Sequence, residues 1–152
     1  MADNQKNGLQ LRQLQLADCV ERLEQSNQIS ARYGLVLTGA QMEALAQRRF
    51  EVLEEMGRVE FGVAVLPKLA EAFCDSPYLC QSNYEETLGE LQELFYYFKN
   101  ESGDRIADDE LIAGMKRIFD GKAQGATEYL SGVPMEAFTD PDWGEEPIWS
   151  ED

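Results

Sequence analysis

The longest apolar stripe in this chain starts at Tyr84. Tyr84, Leu88, Leu91, Phe95 and Phe98 recur at i, i+4, i+7, i+11 and i+14, which lays them along one face of a helix. Glu86, Glu90 and Glu93 mark a solvated side, while Leu94, Tyr96 and Tyr97 add bulk away from the stripe. A helix that is apolar on more than one side is either central in its fold or presents a second face to a partner. Ser82, with Glu85 three residues on, has the pattern of a capping box. The pattern therefore predicts a central, aromatic-rich helix over about 83–99.

Weaker periodicities surround it. Leu9, Leu16, Val20 and Leu23 repeat at helical spacing among good helix formers, predicting a helix over about 10–31 that ends near Gly34. Thr38 and Gln41 form a second capping-box pattern. It opens a helix through Met42, Leu45, Phe50 and Leu53 to Met56, with Gly57 placed to end it. "RVEF" at 58–61 alternates but has no partner strand and reads as a linker. "VAVLPKLAEAF" forms the next helix, with Pro67 in its first turn, and Pro77 closes the segment that follows. Asp108 is placed to cap a helix carrying Leu111, Ile112, Met115, Ile118 and Phe119, which stops at Gly121; "GATEYLSG" predicts a short last helix. The expectation is an all-α fold: a single domain of five or six short helices over 9–132. Residues 1–8 are expected to be flexible. An acidic tail, 133–152, carrying Trp143 and Trp149, is expected to be disordered.

Charge changes the picture more than composition does. At 152 residues and 43% hydrophobic, the chain is long enough for one real core. It carries 29 acids against 13 bases, a formal net charge of -16, and no histidine. Such a chain is repelled by phosphate backbones and anionic membranes, and apart from Arg48–Arg49 and Lys116–Arg117 its bases are scattered. Neither nucleic acid nor membrane is an expected partner. No apolar run is long enough to span a bilayer, and "MADNQKNGLQ" lacks the apolar core of a signal peptide, so a cytoplasmic location is expected. Cys19, Cys74 and Cys80 are expected as free thiols: the C-x5-C spacing is too wide for a zinc knuckle, and no histidine completes a site.

Catalytic patterns are missing. Without histidine, Ser-His-Asp and Cys-His arrangements are excluded. "DGKAQGATE" lacks the P-loop order of glycine then lysine, and no dinucleotide fingerprint is present. No cofactor is expected. "FKNESGDRIADDELIAGM", 98–115, resembles a calcium-binding EF-hand loop and second helix. Aligning Ile106 to the loop's eighth position puts Glu110 correctly at the twelfth but Lys99 at the first, Gly103 at the fifth and Asp104 where glycine is required. Shifting by one moves Glu110 out of place and sets Arg105 at the glycine position. Neither register works, and the segment reads as a helix–turn–helix joint.

The blocks "GRVEFG", "LPKLAEAFCDSPYL", "NYEETLGELQELFYYFKNE", "DDELIAGMKRIFDGKAQG" and "EYLSG" resemble those of an uncharacterised bacterial family of short cytosolic proteins, a domain of unknown function, over roughly 10–132. The resemblance implies a single domain ending near Gly132 and assigns no activity. The function expected from the residues is a protein-interaction or adaptor role without catalysis, with homo-oligomers an open alternative. Tyr96, Tyr97, Trp143 and Trp149 are its candidate contact residues. The second reading is a small-molecule-binding protein or enzyme using carboxylate, Tyr and Arg groups, for which Arg58, Glu60 and Tyr78 are candidates. The third is an inhibitor that mimics nucleic acid toward a basic partner.

Overall fold

A computed structural model describes residues 2–60 and 64–143 of the chain, with side chains from residue 10 onward. Among the described residues six helices form: α1 (Ala2–Ser30), α2 (Gly39–Glu55), α3 (Val65–Phe73), α4 (Tyr84–Glu101), α5 (Asp108–Asp120) and α6 (Thr127–Ser131). Two 3-10 turns, Ala31–Tyr33 and Met135–Phe138, extend α1 and follow α6. The described residues include no strand, in keeping with the all-α expectation. None of their helices is long and apolar enough to cross a membrane.

The α4 stripe is the centre of the core: Tyr84, Leu88, Leu91, Phe95 and Phe98 are all buried. α2 and α3 pack against it. α5 packs on α3, α6 and the Met135–Phe138 turn and buries Leu111, Ile112, Met115, Ile118 and Phe119. The rings interlock edge to face, Phe73 on Phe119 at 5.3 Å between centroids, and Phe98 sits 4.5 Å from Phe138.

α1 begins well before the expected start near residue 10, and its buried face is displaced from the Leu16–Val20 line. Cys19, Leu23, Ser26 and Ser30 are buried, whereas Leu16 and Val20 only flank the core. Small residues let α3 approach closely, and each serine places its hydroxyl on backbone carbonyls. Ser30 Oγ donates to the Leu35 carbonyl at 2.7 Å, and Ser26 Oγ donates to the carbonyls of Arg22 and Pro67. Two side-chain amides then fix the α1–α2 connection. Asn27 exchanges two bonds with the Leu37 backbone and Gln81 two with that of Val36, at 2.6–2.9 Å.

Helix starts divide the expectations. At α2, Thr38 Oγ1 accepts from the Gln41 N–H while the Gln41 side chain accepts from the Thr38 N–H, a complete capping box. At α4 the Ser82–Glu85 box does not form. The N-cap is Asn83, whose amide turns back to the Cys80 N–H and the Tyr78 carbonyl, and Ser82 Oγ lies beside Cys80 Sγ. At α5 the N-cap is Ala107, and Asp108 is drawn instead into an ion pair with Lys99 at 2.8 Å. At α5 the ion pair is the stronger partner, whereas at α4 the helix starts one residue later, at Asn83.

The expected boundary at Gly132 is corrected. Val133, Ala137 and Phe138 are buried, and the Met135–Phe138 turn lies so close on α5 that a Cβ at Gly114 would sit 2.7 Å from the Phe138 carbonyl oxygen. Arg117 Nη2 donates to the Ala137 carbonyl at 2.8 Å. An apolar "VPMEAF" segment precedes the acidic one, and burial of its side chains holds it to the helices. Disorder expected beyond residue 143 concerns positions outside the described residues.

Candidate functional site

The polar residues nominated from the sequence converge in part. Glu60, in the linker after α2, is joined at one carboxylate oxygen by Arg49 Nε at 2.7 Å and by the Tyr96 hydroxyl, which donates at 2.8 Å. Arg49 and Tyr96 are 5% and 1% exposed, so this knot is almost dry. Burial, then the Glu60 charge, pushes the Tyr96 phenol far above its ordinary value. Burial opposes the Arg49 charge, but its hydrogen bond and charge pairing with Glu60 outweigh that and leave its pKa raised. Tyr96 is therefore no surface contact. It is the internal strut that holds Glu60 in place, and its assignment to a partner face is corrected.

Arg58 stands next to this knot but faces α4. It donates to Asn100 at 2.7 Å and to both oxygens of Asp104, the nearer also at 2.7 Å. The fork holds the Asp104 carboxyl below its ordinary value. Tyr78 does not join the pair. Its ring meets Phe119 edge-on, and its Cβ fills the space beside Gly125, where a Cβ would come within 2.5 Å. The α4–α5 joint holds its own cation. The buried Lys99 ammonium donates to the Ile106 carbonyl at 2.7 Å and pairs with Asp108, so Lys99 and Arg58 take up the loop's acids.

Tyr97 is exposed, at 41%, and with Leu94 and Met56 forms the apolar part of a groove of about 520 Å³ between α4 and α6. Two of that groove's acids are already occupied: Glu93 pairs with Arg48, and Glu90 accepts from Thr127. Trp143 packs partly against the core, and Trp149 lies outside the described residues.

A second groove, none of whose residues was nominated as a site from the sequence, runs between α1 and α2. It encloses about 710 Å³, with Leu16, Ala17, Val20, Ala40 and Ala44 along its length and Glu21, Glu24 and Glu43 beside them. Among the described residues none of these three carboxylates enters an ion pair. Its alanines escaped notice because a small residue exposed on a helix looks like any good helix former. The Leu16–Val20 line, read as core, is the signal that belonged to it.

A family model described as Family of unknown function (DUF6323) matches residues 22–141. The chain belongs to this family. No curated protein and no solved structure matches it. The DUF6323 match runs past Gly132 through the Met135–Phe138 turn, in agreement with the burial of that turn. Within the DUF6323 span lie Arg49, Arg58, Glu60, Tyr96 and Tyr97, while Leu16, Ala17 and Val20 of the α1–α2 groove precede it.

Proposed function

We propose that this DUF6323 protein is a non-catalytic interaction module whose α1–α2 groove receives a basic amphipathic helix from a protein partner. The observation that carries this reading is the pairing of an apolar, alanine-lined floor with three carboxylates on its margins that enter no ion pair among the described residues. A guest helix needs a trough with small residues so that its own side chains can enter. Lysines or arginines flanking its apolar face would meet Glu21, Glu24 and Glu43, and the field of a chain at -16 would speed the encounter. Mimicry of nucleic acid calls for carboxylates in a regular row. The acids best placed here bracket an apolar floor instead, which favours a helical guest.

The test uses a labelled Lys/Leu amphipathic peptide of about 18 residues, or five helical turns, read by fluorescence anisotropy. Ala44 is exposed, so Ala44→Arg blocks the floor without disturbing the core. It is expected to weaken binding about ten-fold or more, while Tyr97→Arg, which adds the same charge elsewhere, leaves affinity unchanged. Equal loss in both variants would show that the peptide responds to charge alone and would overturn the reading.

A further inference from the structure

The cleft on the other side of α1 has the opposite electrical character. Arg12 and Arg49 place their guanidinium carbons 4.8 and 5.4 Å from the centroid of the same Phe50 ring. With Arg58 they line a cleft of about 330 Å³ against only two acids, Glu54 and Glu60. Glu60 is already taken by Arg49 Nε and Tyr96, and Arg58 by Asp104. Among the described residues Arg12 enters no ion pair, and Arg49, though 95% buried by its 5% exposure, commits only Nε to a hydrogen bond. Glu54 offsets Arg12 in overall charge, so what sets the cleft apart is the gathering of three guanidinium groups at one place in a chain of net charge -16.

The cleft also has an apolar mouth. Leu11 and Val59, two of the most exposed large hydrophobic side chains, stand at 57% and 72% exposure on its margin, with Leu53 below them. Exposed apolar surface beside preorganised guanidinium groups fits a ligand with both characters. The Glu60–Tyr96 strut keeps Arg49 in a fixed orientation before any ligand arrives, which limits the ordering cost of binding.

We infer that this cleft binds a small amphiphilic anion, its carboxylate or phosphate head between Arg12 and Arg49 and its apolar chain along Leu11, Leu53 and Val59. Forked guanidinium donors suit either head group. The inference stands apart from the α1–α2 groove and does not depend on a protein partner.

Isothermal titration of the full chain with octanoate, octyl phosphate and inorganic phosphate tests it. Saturable one-to-one binding of octanoate or octyl phosphate is expected, and the tighter of the two names the head group. Inorganic phosphate, lacking the chain, is expected to bind about ten-fold more weakly or worse. Arg12→Gln, at a half-exposed position, is expected to lower affinity for the preferred amphiphile about ten-fold. Leu14→Asn removes a leucine of α1 that is more exposed than Leu11 and does not line the cleft, and should change nothing. Binding that fails to saturate, or that falls as much with Leu14→Asn as with Arg12→Gln, is surface adsorption and overturns the site.

Discussion

Gln92 is wholly buried on α4, one turn from Tyr96, and neither atom of its amide has a hydrogen-bond partner among the described residues. An unsatisfied buried amide costs about 1–3 kcal/mol, whereas an apolar replacement of similar shape forfeits nothing. Gln92→Leu is therefore expected to stabilise the protein by about that amount in urea denaturation. A loss of stability instead would mean that the amide has a partner after all, and would make it the next polar group to trace. Cys19 supplies a residue-scale prediction in pH. Burial, against a smaller opposing effect of Arg49, raises its thiol from 9.0 to about 11, and burial likewise raises Tyr84 from 10.0 to about 12. A raised folded value means that above pH 9.0 the unfolded chain releases its proton first, so stability is complete below that point and falls as pH climbs toward about 11. Cys19→Ala should lower stability at neutral pH by leaving a cavity, yet make the decline between pH 9.0 and about 11 shallower, the remaining loss coming from Cys74, whose thiol burial also raises, and from the buried tyrosines. Parallel declines in both proteins would remove Cys19 as the cause.

The docking of the Met135–Phe138 turn is the element-scale feature most exposed to test. A Cβ at Gly114 would meet the Phe138 backbone at 2.7 and 2.9 Å, and backbone cannot swing aside as a side-chain end can. Gly114→Ala should cost about 1–3 kcal/mol despite alanine's better helix propensity. A chain ending at Gly132 loses Val133, Ala137 and Phe138 from the core and should melt far lower than one ending at Trp143. Equal melting temperatures would show that the turn contributes nothing. The same turn marks where sequence reading stopped short. α4 and α5 were legible because five large apolar residues each sit on one face, and α2 because Thr38 and Gln41 have no competing partner. α1 was misregistered because part of its buried face is serine, and the burial of Ser26 depends on the Pro67 carbonyl far along the chain. The site was legible only in pieces. Glu60 and Arg58 drew notice as charges in a linker, but Arg49 looked like surface charge, and nothing local could join it to Tyr96 across two helices.

At the scale of the whole molecule, the net charge of -16 acts on folding and on binding with opposite signs of salt dependence. Acids outnumber bases over the surface, so the folded state carries self-repulsion that an expanded chain relieves. Raising ionic strength from about 0.01 to 0.15 M shortens the screening length from about 30 to 8 Å, which removes most of that repulsion. The interior ion pairs respond much less: Arg49 with Glu60 at 2.7 Å and Lys99 with Asp108 at 2.8 Å are held by side chains whose cations are nearly buried. The melting temperature is therefore expected to rise by a few degrees over this range, with sodium chloride and potassium chloride giving the same result because screening is not ion-specific. The basic peptide should behave in the reverse way. Its attraction to Glu21, Glu24 and Glu43 is exposed and screened, so affinity should fall as the protein itself becomes more stable. Replacing all three with glutamine should leave the melting curve's upward response largely in place while flattening the salt dependence of peptide binding. If the triple variant keeps the full salt dependence, the peptide is responding to the molecule's overall field and the groove has no special part in holding it.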